Sequence, residues 1–287
     1  MQLTELIDKI SENYIKASLN FYDIKNSIYE ERCIDTINLI KESENLRNKV
    51  FEVYDILYNK HEKMDELWNL HSINDLFGNN YLPFITNILL LLGFEIHKNN
   101  INKYQFDKNQ VDIHKQRVKE CLTNDIYDRK YETIRISQML WGSYFINCKL
   151  LEVGRLQYEY CENYIKIHIP NGAKLNYNDV IKSIENSKRE IKKYYTNNNL
   201  AYYCDSWLLS KQIKGMLNQN SNILKFQSIF EIEEGQSCIK DILNFVYKID
   251  NCDDYKILPE NSSLQKNIKQ YLISGKDIKL GKGKLIK

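Results

Sequence analysis

The chain has 287 residues, 43% hydrophobic and 27% charged, which suits one large domain or two small ones with a real core. Its 40 Lys and Arg stand against 38 Asp and Glu, and a net charge of +2 gives no reason to expect nucleic acid or an acidic membrane surface as a partner. The seven cysteines are odd in number and show no C-x-x-C spacing, which argues against a zinc knuckle or a disulfide framework and sets the expectation of a reducing cytoplasm.

The first residues, "MQLTELIDKISENY", are polar and amphipathic, without the basic start, apolar run and cleavage site of a signal peptide. Leu3, Leu6, Ile7, Ile10 and Tyr14 form one helical stripe, and Val50, Val53, Tyr54, Leu57 and Tyr58 form another. Residues 1–134 hold two glycines, Gly78 and Gly93, and one proline, Pro83, as a helical region would. "YLPFITNILLLLGFEI" is the most apolar run, but it falls short of the roughly 20 residues of a membrane span. It predicts a buried helix that starts near Pro83 and stops before Gly93. His61, His71, His97 and His114 are scattered through this half at no ligand spacing, and no metal is expected.

From about residue 150 the rhythm becomes that of strands. "KLLEVGRLQYEYCENYIKIHIP" alternates and predicts two antiparallel strands, with a bulge or turn at Gly154 and a turn near Glu162–Asn163. "NYNDVIKSIENSKREIKKYY" predicts a helix capped by Asn176, with Val180, Ile184, Ile191 and Tyr195 inward. "LAYYCDSWLL" predicts the next strand, with Tyr203, Asp205 and Trp207 on one face and Cys204 and Ser206 on the other. Helices follow from Lys211 and Ser221, then the short strand "IFEIEEG", helical "IKDILNFVY", a helix capped by Ser262, and an extended tail whose glycines permit close backbone approach. A strand–helix–strand step in one sheet is a right-handed crossover joining parallel strands. The strands ending at Pro170 and near Leu209 should therefore lie side by side, with their C-terminal ends at the edge where open α/β sheets bind ligands.

Six stretches carry a family resemblance: "VGRLQYE" (153–159), "IHIPNGAKL" (167–175), "CDSWLLS" (204–210), "SNILKFQSIFEI" (221–232), "LPENSSLQ" (258–265) and "LGKGKL" (280–285). In their order and spacing the second half resembles the GNAT-like C-terminal domain of bacterial acyltransferase-domain proteins, which carry a helical acyltransferase domain ahead of it. The N-terminal half matches mainly through "LPFITNILLLLGF". The resemblance implies an α+β protein. Residues 1–134 would be a helical domain and 135–287 a GNAT-like domain with a mixed sheet.

The resemblance also implies a reaction class. An acyl group would move from a CoA or carrier-protein thioester to an amine or hydroxyl of a small-molecule acceptor. In GNAT enzymes two adjacent parallel strands splay, and the donor's pantetheine arm lies between them. Here "IKIHIP" would be the first splayed strand. Pro170, Asn171, Gly172, Ala173 and Lys174 would form the turn facing the donor phosphates at a helix N-terminus. The family-wide phosphate signature is reduced to Gly172-Ala173, so a longer acyl-CoA or an acyl carrier protein fits as well as acetyl-CoA.

His168 would be the general base, or else a histidine that locks the turn before Pro170. Asp205 would orient His168 or bind an acceptor amine, or else pair with a lysine. Cys204 would be a nucleophile, or else a small buried hydrophobe. Arg155 and Gln157 would line the acceptor side, Ser221 and Asn222 would touch the donor's adenosine end or cap a helix, and Trp207 would wall an acyl pocket or belong to the core. The other readings are a non-catalytic acyl-thioester-binding or sensing protein of the same fold, and a helical interaction protein whose second half is scaffold.

Overall fold

A computed structural model describes residues 11–70, 73–78, 82–127, 133–172, 174–196, 199–249 and 251–286. Contacts divide the chain into two compact units, Met1–Leu151 and Glu152–Lys287. This division and the expected boundary at 134 differ mainly by one helix, Ile136–Ile146.

Within the first unit run α1 (Glu12–Phe21), α2 (Ser27–Glu42), α3 (Glu44–Tyr58), α4 (Met64–Trp68), α5 (Ile73–Phe77), α6 (Ile85–Leu91), α7 (Phe94–Tyr104), α8 (Lys108–Tyr127) and α9 (Ile136–Ile146). Side-chain caps start the first three: Ser11, Asn26 and Ser43 each accept from the backbone N–H three residues on. The expected stripe Val50, Val53, Tyr54, Leu57 and Tyr58 is buried. Of the first stripe, Leu3, Leu6, Ile7 and Ile10 lie outside the described residues.

The apolar run forms α6, which is buried on every side. Its two polar side chains are partnered: Thr86 donates to the Ile134 carbonyl at 2.8 Å, and Asn87 donates to Tyr29 Oη at 2.7 Å. Gly93 has a reason other than ending a helix. It keeps right-handed helical angles, φ −76°, and α7 follows at once. A Cβ there would stand 2.5 Å from the Tyr58 ring, so the glycine admits a packed tyrosine.

The stretch expected to give two strands gives three, because Gly154 (φ 63°) makes a full turn and not a bulge. They are β1 (Leu150–Val153), β2 (Leu156–Tyr160) and β3 (Tyr164–His168). Then come α10 (Tyr177–Tyr194), β4 (Ala201–Ser206), α11 (Lys211–Lys214), α12 (Asn222–Gln227), β5 (Phe230–Ser237), α13 (Ile239–Ile242, continued by a wide turn to Tyr247), α14 (Ser263–Ile273) and β6 (Lys279–Leu285). The sheet order is β1-β2-β3-β4-β6-β5. The β3–β4 pair is parallel, as the crossover rule requires, and β2–β3, β4–β6 and β5–β6 are antiparallel.

One face of the sheet is apolar and packs on α10. Tyr158, Ile165, Ile167, Tyr202 and Cys204 are buried on the sheet, and Val180, Ile184 and Ile191 on the helix. Ser183 of α10 accepts from the Leu156 N–H at 3.2 Å and hydrogen-bonds Tyr158 Oη at 2.8 Å, so the helix is tied as well as packed. Gly281 on β6 passes under the turn after β4, where a Cβ would meet the Leu209 carbonyl at 2.2 Å; this is the expected close backbone approach. Along the β5–β6 ladder, Glu231 faces Lys284 and Glu233 faces Lys282. No described helix is long and apolar enough to cross a membrane.

Candidate functional site

The β3–β4 ladder pairs Tyr164 with Ala201, Ile165 with Tyr202 and Lys166 with Tyr203, and there the register ends. Both strands continue past that point, β3 to His168 and β4 to Ser206, and from Tyr203 onward β4 is paired with β6 on its other side. The two parallel strands therefore part at their C-terminal ends, leaving backbone groups of Ile167, His168 and Cys204–Ser206 unzipped along the edge they share. This is the place where an open α/β sheet takes a ligand.

The chain leaving β3 turns at Pro170, Asn171 and Gly172 (φ 126°), and Asn176 caps α10 by accepting from the Asn178 N–H at 2.9 Å. Arg155 donates to the Pro170 carbonyl at 3.0 Å and braces this turn, so it serves the loop from below. A cavity of about 450 Å³ lies between the start of α10 and the length of the short helix α12, lined by Asn176, Tyr177, Asn178, Asn222, Lys225 and Ser228. Of the expected donor contacts only Asn222 lines it. Asn171, Gly172 and Lys174 are exposed, Ala173 lies outside the described residues, and Ser221 caps α12 by accepting from the Ile223 N–H at 3.2 Å. Tyr177, Asn178, Lys225 and Ser228 were missed as lining residues; the signal was the cap at Asn176, which marks where α10's N–H groups open.

His168 projects from the face opposite α10. Its Nε2 is 2.7 Å from Glu159 Oε2, with both side chains largely buried, 20% and 15% exposed. The register explains the contact: Glu159 pairs with Lys166 and Gln157 with His168, so histidine and glutamate are diagonal neighbours on one face of the hairpin. Burial pushes the Glu159 carboxyl up, but the His168 hydrogen bond, with the positive charges of His168 and Lys166, outweighs it and holds the group below its ordinary value. Gln157, 2% exposed, donates to Glu152 Oε2 at 2.7 Å.

Three of the expected residues sit as their alternative readings describe: Asp205 paired with a lysine, Cys204 as a buried apolar side chain and Trp207 in a core. Asp205 does not orient His168; its recorded partner is Lys166, whose Nζ stands 3.9 Å from Asp205 Oδ2. Cys204 does not meet His168, because strand alternation puts it with Tyr202 on the α10 face; it is 1% exposed, and burial pushes its thiol well up. Trp207 is not on a strand face. The strand stops at Ser206, whose Oγ accepts from the Leu208 N–H at 3.1 Å, and Trp207 turns into a satellite core with Ile213, Ile242 and Ile278.

The chain is similar in fold to solved acyltransferases. One, in complex with decanoyl-CoA, matches at TM-score 0.61 and 18% identity over 71% of this chain and 66% of that chain, so this chain spans just under two thirds of its length. An acyltransferase mutant in complex with octanoyl-CoA matches at TM-score 0.70 and 15% identity, over 94% of this chain and 87% of that one. An acyltransferase in complex with decanoyl-CoA and teicoplanin matches at TM-score 0.65 and 16% identity over the same shares. A comparison with curated proteins found no match. A family model, the GNAT-like C-terminal domain, matches residues 100–285, well over half the chain. The parted parallel strands, the capped helix after them and this match agree: the chain belongs to the family of proteins with a GNAT-like C-terminal domain.

Proposed function

We propose that the protein transfers an acyl group from a CoA thioester to an amine or hydroxyl of a small-molecule acceptor. The observation that carries this reading is the end of the β3–β4 register at Lys166–Tyr203, with a separate cavity between the start of α10 and α12 as a second feature. The thioester arm enters between the strands. The first N–H groups of α10 and the Lys225 ammonium face the donor's phosphates. Much of the rate gain comes from holding donor and acceptor together.

Glu159 holds the Nε2–H of His168, so the proton of the attacking amine or hydroxyl goes to Nδ1. The acceptor atom bonds to the thioester carbonyl carbon, the carbon–sulfur bond then breaks, and the departing thiolate takes the proton back from the imidazolium. Glu159 stabilises that imidazolium without itself becoming protonated. The compared acyltransferases bind octanoyl-CoA, decanoyl-CoA and teicoplanin, which supports a medium-chain donor and a small-molecule acceptor here. The described cysteines form no disulfide, in keeping with a cytoplasmic setting.

The short phosphate turn, with only Gly172-Ala173 of the family signature, favours a second reading: an acyl group presented on a carrier protein, or bound without turnover. A thermal-shift and native-mass screen of CoA thioesters tests the donor. A donor at a hundredfold excess over Kd raises stability by about 2.7 kcal/mol. Binding together with release of thiol supports transfer, binding without release supports sensing, and absence of binding to any acyl-CoA removes the CoA reading.

A further inference from the structure

We propose that His97, His114 and Cys148 bind one zinc ion inside the helical unit. His97 lies on α7, His114 on α8, and Cys148 in the turn that follows α9. Their ligand atoms all lie within 4.8 Å of one another, and each residue is 0% exposed. The separations along the chain match no zinc motif, so only the fold brings the three together.

The hydrogen bonds on the far side of each imidazole aim the near side inward. His114 donates from Nδ1 to the Phe145 carbonyl at 3.0 Å, which leaves its Nε2 with the lone pair. His97 Nδ1 stands 3.0 Å from Tyr22 Oη, and with Nδ1–H donating there its Nε2 also presents a lone pair. Both Nε2 atoms are buried and make no hydrogen bond of normal geometry, with the Leu150 backbone carbonyl a competing acceptor for the His114 ring. One buried, unsatisfied nitrogen is already costly, and two facing one cysteine call for an occupant that bonds both. An outer hydrogen bond that fixes the tautomer of each ligating histidine is what zinc sites use.

The third ligand is held as deliberately. Cys148 takes the left-handed conformation, φ 51°, and its N–H donates at 2.9 Å to the same Phe145 carbonyl that receives His114. One carbonyl thus sets two ligands. Two imidazole nitrogens and a thiolate are a zinc donor set, and three protein ligands leave the ion a fourth position for water. Ligands at zinc bond lengths stand about 3.3–3.8 Å apart in a tetrahedron, so the present spread closes with small side-chain rotations. With all three residues enclosed, the ion is acquired as the unit folds, and its binding adds to folding stability.

The test is expression of the full chain in zinc-supplemented minimal medium, dialysis, and elemental analysis. The expected result is about one zinc per chain, lost in His114→Gln and Cys148→Ser and retained in Cys121→Ser, a buried cysteine outside the cluster. Chain produced in cobalt-supplemented medium should show thiolate-to-cobalt charge-transfer absorption that Cys148→Ser lacks. Wild-type protein carrying less than about a tenth of an equivalent of zinc, or folded variants carrying the full equivalent, would overturn the proposal in favour of a buried water. If both variants fail to fold, wild-type stoichiometry and the cobalt absorption decide the matter.

Discussion

His168 and Glu159 meet at 2.7 Å across the β2–β3 hairpin, nine residues apart in the chain and diagonal in the sheet. If this pair is the proton-transfer machinery, His168→Ala should lower kcat by about 10²–10⁴-fold and leave donor affinity within about twofold. Glu159→Gln should lower kcat by at least about tenfold, because an amide lets the imidazole settle in the other tautomer. Single-turnover thiol release and donor titration separate the two effects. Full activity in His168→Ala would remove the pair from the mechanism.

The same carboxylate ties stability to pH. Glu159 is held below its ordinary value in the folded chain, so the unfolded state binds more protons. Its contribution is present above the unfolded pKa, near 4.5, and is lost as pH falls through the lower folded value. Urea unfolding of wild type and Glu159→Gln from about pH 6 to pH 3 should show the variant's curve flatter across that acid range. Parallel curves would mean that the ion pair contributes nothing.

Lys225, in the last turn of α12, is the charged side chain lining the cavity. Lys225→Ala should raise the donor KM by about tenfold with kcat little changed, and the difference should shrink with added salt. An unchanged KM would move the donor's phosphates elsewhere.

Gly281 has no room for a side chain because the Leu209 backbone occupies it. Gly281→Ala should cost about 1–3 kcal/mol, read as a lowered Tm. A Tm equal to wild type would show that the turn after β4 moves aside freely.

The strand–helix–strand step was legible because periodicity changes sharply at Asn176, and the caps at Asn176, Ser221 and Ser262 hold as the sequence suggests. The partner of His168 was not. Asp205 and Glu159 are equally plausible in sequence, and only the register, with β3 pairing β2 antiparallel and leaving β4 early, decides for Glu159. The choice between the two readings of Cys204 was open for a related reason: alternation along β4 was legible, but which face α10 covers was not, and the cysteine is buried on that face. Lys225 lies inside the stretch 221–232 that carries the resemblance, but its place at the cavity comes from how α12 packs near the start of α10.

The outermost strand, β5, sets Glu231 and Glu233 opposite Lys284 and Lys282 of β6. Opposite signs directly across a ladder favour this alignment, and a slip by one residue would trade two attractions for glycine contacts. A neighbouring strand approaching the same rim meets the exposed carboxylates of Glu231, Glu233 and Glu234 on β5. The margin of the sheet is thereby discouraged from recruiting foreign strands, a safeguard against aggregation written into the side chains of its last two ribbons.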